Sequence, residues 1–300
     1  MPRSIQVRLV RHAVEHQADP NRIFVRYATE RLLYRLSQSA HAESFVLKGG
    51  MLLLVWLGET LRPTRDADLL WAKSLSADSL SDIFRAACRM DIAGDGLEFD
   101  EQSVRVETIR EDNPDGGQRV SLWSRLGAAR LSLTVDVAAG DAVWPEPEWI
   151  EYPSLLDLPR PRLRAYRPET AIAEKFHAMV LLELRNSRMR DFFDIHALAS
   201  RESFDGRVLA AALALTFERR RTPLPESVPV ALTSDFARDS TKRLQWAGFI
   251  RRNRLRAAPE DLEQVVLLLS EFLRPIVEAL VAKQSFRESW PPGGPWTRSA

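Results

Sequence analysis

The stretch FVLKGGMLLLVWLGETLRPTRDADLL, residues 45–70, decides the fold of this 300-residue chain. A short apolar strand leads into a Gly-Gly turn and a helix, and a second strand opens with Asp66-Ala67-Asp68. Side chains two residues apart on a strand point to the same face, so Asp66 and Asp68 are predicted to lie side by side. Such a pair repels itself unless a cation lies between the two carboxylates. Mg²⁺ suits it, because this ion takes one or two carboxylates and completes its shell with water and phosphates.

The glycines before the helix have a second implication. Backbone N–H groups at Gly49 and Gly50 can approach a phosphate closely, at the positive end of the helix dipole. Either motif alone is weak, because a glycine pair marks any tight turn and an Asp-x-Asp is commonly a solvated loop. Here Ala67, Leu69 and Leu70 make the surroundings of the acids apolar, which favours a metal site. Together the motifs indicate phosphoryl or nucleotidyl transfer.

A third acid stands on a later strand. Residues 129–138, ARLSLTVDVA, alternate between an apolar face and a polar face that carries Ser132, Thr134 and Asp136, as a half-buried strand requires. If this strand lies beside the Asp-x-Asp strand, three carboxylates converge and can hold two Mg²⁺ ions roughly 3.5–4 Å apart. The sequence leaves the strand order open, and Asp136 by itself would be a solvent-facing residue.

These motifs resemble the nucleotidyltransferase fold of the DNA polymerase β superfamily. Two downstream segments narrow the resemblance to the AbiEii/AbiGii toxin family, namely RPETAIAEKF at residues 167–176 and RDFFDI at residues 190–195. The similarity covers residues 40 to 200 and rests on the order of four motifs. Two departures concern the turn: the link from Gly50 to Asp66 is longer than is common in the superfamily, and a glycine replaces the serine of many members.

The resemblance implies a Mg²⁺-dependent transfer of a nucleotide from an NTP. The implied catalytic residues are Asp66, Asp68, Lys175 and Asp191, and the implied metal ligands are Asp66, Asp68 and Asp136. The implied nucleotide-binding residues are Lys48, Gly49, Gly50, Thr64, Arg65, Lys175, Arg190 and Asp194.

Independently of the resemblance, the spacing of the residues after Pro168 predicts a helix and a pair of acids on one helical face. A helix is predicted from Pro168 to about residue 185, with Lys175 off its apolar stripe and able to project toward a triphosphate as a point charge. Without the resemblance, Lys175 would be an ordinary surface lysine. Asp191 and Asp194 share a helical face, where Arg190 could pair with either acid or bind a phosphate. The resemblance favours Asp191 as the active-site acid.

One basic segment of the sequence is a candidate surface for binding an acceptor. Residues 219–256 hold ten basic side chains and three acidic ones, with Trp246 and Phe249 between them. Such an excess could hold RNA, and it could equally be a solvated basic helix face. The resemblance implies the 3′ end of tRNA as acceptor, a block of translation, and a cognate antitoxin protein as partner. The alternatives are a nucleotidyltransferase acting on a small molecule, such as an antibiotic or metabolite, and a non-catalytic nucleotide-binding protein.

Composition sets the outer limits. A formal net charge of +1 and 45% hydrophobic residues predict a sizeable core and two lobes. The single cysteine, Cys88, cannot form an internal disulfide, which fits a reducing compartment. The absence of a Gly-x-x-x-x-Gly-Lys-Ser/Thr motif argues against a phosphate-loop ATPase. Neither a signal peptide nor an apolar run of roughly 18 residues is found, so we expect a cytoplasmic protein without a membrane partner.

The predicted fold class is α/β (α+β). A mixed-sheet nucleotidyltransferase lobe with N-terminal helices is expected over residues 1–150, and an all-helical lobe that completes the active-site cleft over residues 151–289. The proline-rich stretch at 145–168 is the predicted linker, and residues 290–300 are expected to be disordered.

Overall fold

The computed structural model describes residues 2–58, 62, 64, 66–71, 76–109, 116–140, 143–255 and 258–298. The chain divides into two compact units. The first, which we name the sheet unit, comprises Met1–Val55, Pro63–Asp141 and Pro147–Ala165. The second, which we name the helical unit, comprises Trp56–Arg62, Ala142–Glu146 and Tyr166–Ala300.

The sheet unit is built on seven strands. They are β1 Phe45–Lys48, β2 Ala67–Trp71, β3 Leu97–Ile109, β4 Gly117–Leu126, β5 Ala129–Ala139, β6 Glu148–Glu151 and β7 Arg162–Ala165. Their order across the sheet is β3-β4-β5-β2-β1-β7-β6. The sheet is mixed, because β2 runs parallel to β5 and β1 runs parallel to β7, whereas the other neighbours are antiparallel. The predicted α/β fold class is thereby confirmed.

Alternation along β5 places the strand as its sequence predicts. Leu131, Leu133 and Val135 are at most 2% exposed, whereas Ser132 is exposed and Asp136 is partly exposed. The apolar face therefore lies in the core of the sheet unit, and the polar face remains available for chemistry.

Two of the helices of the sheet unit begin at recognisable caps. The helices of this unit are α1 Pro2–Glu15, α2 Pro20–Ser37 and α4 Ala77–Arg89, together with the start of the short helix α3 Leu52–Leu57. The Asp19 side chain accepts from the Asn21 N–H, and Ser76 accepts from the Ser79 N–H, which satisfies backbone donors at the starts of α2 and α4. Cys88 is buried on the apolar face of α4.

The proline-rich stretch was predicted to be a linker, and this prediction is wrong. Strands β6 and β7 lie within it and form one end of the sheet, since their own residues include no proline. The segment that connects them is hydrogen-bonded to α2. Glu30 of α2 accepts from the Ser154 hydroxyl at 2.6 Å and from the Leu155 N–H at 2.9 Å. Arg31 donates to the Pro159 carbonyl at 2.7 Å. These buried contacts fix the segment in place.

The helical unit contains six further α-helices in the described part of the chain. They are α5 Pro168–Leu182, α6 Met189–Arg201, α7 Gly206–Arg219, α8 Ser234–Arg238, α9 Ser240–Asn253 and α10 Leu262–Val281. The unit also has a small antiparallel sheet of order β10-β9-β8, formed by β8 Phe204–Asp205, β9 Glu288–Trp290 and β10 Thr297–Arg298. It is therefore mostly helical rather than all-helical. No described helix is long and apolar enough to cross a membrane.

The C-terminal segment, expected to be disordered, is ordered over residues 290–298. Trp290 is 1% exposed and donates its indole N–H to the Ala199 carbonyl at 2.7 Å. Trp296 stacks on Phe272 with ring centroids 5.6 Å apart and donates to the Phe272 carbonyl at 2.9 Å. The polar, proline-rich composition suggested disorder, but two indole rings with an apolar surface to cover outweigh it.

Candidate active site

Four charged side chains occupy one row across the middle of the sheet. In the strand register, Lys48 on β1 lies opposite Asp68 on β2, Asp68 lies opposite Asp136 on β5, and Asp136 lies opposite Arg119 on β4. Registered neighbours on adjacent strands place their side chains on the same face. The strand order that the sequence left open therefore brings the third acid beside the Asp-x-Asp motif. We name these four residues the charge row.

Gly49 and Asp68 are packed against each other. Gly49 has φ +74°, a conformation that side chains other than glycine rarely adopt. A Cβ atom at this position would lie 2.7 Å from Asp68 Cγ and 2.8 Å from Asp68 Cβ, and would overlap the carboxylate oxygen. Glycine is thus required twice, by the backbone and by the neighbouring acid. The contact couples the glycine turn directly to the Asp-x-Asp strand.

The glycine turn leads into a short helix. Gly49–Met51 form a 3₁₀ turn, and α3 that follows has only six residues. Gly50 is buried in this turn, and Lys48 is partly exposed at the end of β1. A six-residue helix has a small dipole, so the end of α3 adds little to any attraction of an anion.

Arg119 holds the third acid. Its guanidinium donates from Nε to Asp136 Oδ1 and from Nη2 to Asp136 Oδ2, both at 2.8 Å. The hydrogen bonds and the charge of Asp136 raise the pKa of Arg119 above its ordinary value, and the charge of Asp66 adds to this. No motif in the sequence marks Arg119 as a site residue. A signal existed, because the two-residue turn at Gly127-Ala128 sets the β4–β5 register that places Arg119 opposite Asp136.

The remaining predicted residues of the sheet unit lie just before β2. Asp66 is exposed, and the Thr64 hydroxyl donates to the Asp66 carbonyl at 3.2 Å. Arg65 lies outside the described residues. Among the described residues, no three His, Cys, Asp or Glu side chains are assembled into a group that could hold a metal ion.

The donor set nevertheless fits Mg²⁺. The acids Asp66, Asp68 and Asp136 offer only carboxylate oxygens, the hard ligands that this ion prefers. The absence of a Cβ at Gly49 leaves space that the Asp68 carboxylate occupies, and a cation, the Arg119 guanidinium, is already bound to Asp136.

A second charged cluster lies inside the helical unit. Lys175 Nζ on α5 lies 3.1 Å from Asp191 Oδ1 and 2.8 Å from Asp194 Oδ2, and both acids on α6 are fully buried. Arg188 Nε donates to Asp191 at 2.6 Å, and Arg62 donates from Nε and Nη2 to Asp194 at 2.6 and 2.7 Å. Positive and negative charges therefore alternate along a chain of five side chains. We name it the buried ion chain.

Electrostatics keep the buried ion chain charged. Burial lowers the pKa of Lys175, but Asp191 and Asp194 outweigh it, so the net shift is upward. Burial raises the pKa of Asp194, but Lys175 and Arg62 outweigh it, so the net shift is downward. Both groups remain ionised near neutral pH.

The ion-pair partners of Lys175, Asp191 and Asp194 differ from those predicted from the sequence. Lys175 was predicted to project away from the apolar stripe toward a phosphate, whereas its ammonium contacts two carboxylates. Arg190, the arginine predicted to pair with these acids, is exposed, and Arg188 and Arg62 make the ion pairs. The i, i+3 spacing of Arg188 and Asp191 was a usable signal. Arg62 gave none, because it is 132 residues from Asp194.

The basic segment is only partly the surface that was predicted. Trp246 is 1% and Phe249 8% exposed, so these aromatic rings are core residues and cannot stack on bases. Lys242 is also buried and donates to the Asn186 carbonyl at 3.0 Å. Exposed basic side chains do line α9 and its C-terminal cap, at Arg243, Arg251, Arg252 and Arg254, and α9 itself contains no acid.

Comparison with known proteins adds to this geometry. Residues 31–267 match the family described as nucleotidyl transferase AbiEii toxin, type IV TA system. No curated protein matches the chain. Among solved structures, MenT4, a nucleotidyltransferase toxin from Mycobacterium tuberculosis H37Rv, is similar over 93% of this chain and 99% of its own, with TM-score 0.57 and 20% identity. JHP933 from Helicobacter pylori is similar over 87% and 94%, with TM-score 0.48 and 18% identity. The likeness to MenT4 shows a shared fold.

Proposed function

Because this chain belongs to the nucleotidyltransferase AbiEii toxin family of type IV toxin–antitoxin systems, we propose that it transfers a nucleoside monophosphate from an NTP to the 3′ end of tRNA. The reaction would depend on Mg²⁺ and block translation, in the cytoplasm, where NTPs and tRNA are found. A cognate antitoxin protein would be its partner. The observation that carries the proposal is the charge row, which unites the acids of two separate motifs on one sheet face.

The acids of the sheet unit would hold the metal. Asp68 and Asp136 lie opposite each other on parallel strands, and Asp66 precedes the same strand as Asp68. When bound, Mg²⁺ would neutralise charge on a triphosphate and would lower the pKa of an attacking hydroxyl. Lys48 and the backbone of the Gly49–Gly50 turn would orient phosphates beside these acids.

In the helical unit, Lys175 would donate to a phosphate oxygen of the nucleotide. An ammonium has three N–H donors, and Asp191 and Asp194 account for two of them. The two carboxylates hold the ammonium at a fixed position, which avoids the entropy cost of ordering a long flexible side chain when substrate binds. Asp191 and Asp194 would therefore act through Lys175, and Arg62 and Arg188 would keep the acids in place. The exposed Arg190 would contact phosphate as well.

The tRNA acceptor is supported by charge. The exposed arginines of α9 form a basic surface that a phosphate backbone could contact without base recognition. Because Trp246 and Phe249 are buried, binding would rest on ion pairs rather than stacking, and it would be strongly dependent on salt.

The test is incubation of the protein with bulk tRNA, Mg²⁺ and each α-labelled NTP in turn. We expect label on tRNA, and a loss of at least about 10²-fold in Asp68→Asn and Asp136→Asn, because charge stabilisation of the transferring phosphoryl group is removed. The control is Asp157→Asn, a fully exposed carboxylate of the same unit. Replacing Arg243, Arg251 and Arg254 by Gln should raise KM for tRNA and lower the salt dependence of binding.

Other outcomes would replace the proposal. NTP binding without label on tRNA would indicate a small molecule or protein as acceptor. Absence of NTP binding in the presence of Mg²⁺ would indicate a protein that does not catalyse the transfer.

A further inference from the structure

The Arg119–Asp136 pair joins two residues with unequal access to solvent. The Arg119 side chain is 43% exposed, whereas that of Asp136 is 14% exposed. The acid is therefore held at the sheet, and the long side chain that binds it retains access to solvent. Both contacts use one edge of the guanidinium, from Nε and Nη2, in the bidentate geometry that this group makes equally well with a carboxylate or a phosphate.

The charges around the pair explain why a cation is needed there. Asp68 and Asp136 are directly opposite on neighbouring strands, and like charges in such positions repel. The Arg119 guanidinium, bound to Asp136, reduces the repulsion between the two registered acids, and the charge of Asp66 acts on Arg119 in the same direction as the charge of Asp136.

The same contacts conflict with metal binding. A carboxylate whose two oxygens both accept hydrogen bonds from one guanidinium has its best lone pairs engaged, so Arg119 competes with a divalent cation for Asp136. A divalent cation would relieve the repulsion in place of Arg119, and a triphosphate would bring a new anion for the displaced guanidinium.

We propose that Arg119 is a substrate-responsive latch: its guanidinium occupies Asp136 in the nucleotide-free protein and transfers to a phosphate of the metal-bound nucleotide. The inference rests on the proposed function and adds a residue that no sequence motif marked. The latch keeps the third acid in a neutralised state until metal and nucleotide arrive together. Arg119 is then a nucleotide-binding residue in the complex and a competitor of the metal without it.

Two binding measurements on Arg119→Gln test this. The first is the Kd of Mn²⁺ for the protein without nucleotide, and the second is the Kd of the α,β-methylene analogues of ATP, CTP, GTP and UTP in the presence of Mg²⁺. The matched control is Arg125→Gln, on the same strand and face, 69% exposed and 3.9 Å from Glu98. Arg119→Lys keeps the charge but loses the bidentate fork.

The latch predicts changes of opposite sign. Arg119→Gln should bind Mn²⁺ about tenfold more tightly, because a charge-assisted competitor is gone, and the nucleotide analogue about tenfold more weakly. Arg119→Lys should show smaller changes of the same signs, and it serves as the test if Arg119→Gln does not fold. Arg125→Gln should match the wild type in both measurements.

Three results would overturn the inference in distinguishable ways. If both affinities fall in Arg119→Gln, the guanidinium only supports Asp136 as a positioning residue. If neither affinity changes, the pair is an ordinary surface ion pair. If the wild type binds neither Mn²⁺ nor any analogue, the proposed function fails, and the latch fails with it.

Discussion

Replacing Gly49 by alanine tests whether the glycine turn and the Asp-x-Asp strand form one structural element. The substitution has two separable effects, since Gly49 combines a positive φ of +74° with close contact to Asp68. An alanine in the left-handed region costs roughly 1–2 kcal/mol. Forcing the Asp68 side chain aside costs about 1–3 kcal/mol more, as expected for insertion of an atom into a packed site. The total loss of stability should be about 2–5 kcal/mol.

Gly58 supplies the matched control. Its φ is +80°, and a Cβ built there meets no atom of the described residues within 4 Å. Gly58→Ala should therefore show only the backbone cost, roughly 1–2 kcal/mol. The effect of alanine on the unfolded chain is common to both variants and cancels in their comparison. The difference of about 1–3 kcal/mol is the contribution of Asp68.

Native-state hydrogen exchange is the suitable assay, because it reports the stability of each unit separately. Amides of β1 and β2 should lose protection in Gly49→Ala, and Mn²⁺ affinity should fall because the Asp68 carboxylate is displaced. Adding Asp68→Ala to Gly49→Ala should restore part of the stability, because the Asp68 carboxylate is removed. The recovery should be incomplete, because the new Cβ would still lie 2.8 Å from the Cβ of residue 68. Equal losses in Gly49→Ala and Gly58→Ala, with unchanged Mn²⁺ affinity, would refute the reasoning.

Two further predictions concern the helical unit and can be checked by urea denaturation. Asp194→Asn should lower the stability of the helical unit by about 3–5 kcal/mol, because the buried cations Arg62 and Lys175 then lack a negatively charged partner. The double variant Arg62→Gln/Asp194→Asn should lose less stability than the sum of the losses in the two single variants. If the two single losses of stability add up to the loss in the double variant, Arg62 and Asp194 do not stabilise each other. Burial lowers the pKa of His177 to about 4. As the pH falls, the His177 side chain is therefore protonated in the unfolded chain before it is protonated in the folded protein. The free energy of unfolding should fall as the pH drops from about 6.5 to about 4. His177→Gln should flatten this part of the pH profile, and an unchanged slope would assign the dependence to other groups.

The hairpin of β4 and β5 shows how far local sequence reaches. Alternating residues predict both strands, and the Gly127-Ala128 turn between them sets which residues face each other. Arg119 and Asp136 are only 17 residues apart, and their pairing could have been derived from the turn. Local information is sufficient here because a two-residue turn leaves one register for the strands that follow it.

The C-terminal segment shows where composition misleads. Residues 290–300 are rich in proline and glycine, which predicts disorder. Trp290 and Trp296 order the segment through contacts with α6 and α10, elements that lie elsewhere in the sequence. Composition shows that the segment has little tendency to form a helix or strand. It does not show the apolar surface against which the two indole rings pack.

The sequence by itself determined the mixed α/β fold class, the Gly-Gly and Asp-x-Asp motifs, the half-buried strand with Asp136, and the family resemblance, because each of these is a local pattern of spacing and polarity. Tertiary structure alone decided that β2 lies beside β5, that the side chain of Asp68 fills the space above Gly49, and that Arg62 binds Asp194. These contacts join residues from 19 to 132 positions apart. They depend on strand order and helix packing, which are set by the burial of the whole apolar surface and not by any single segment.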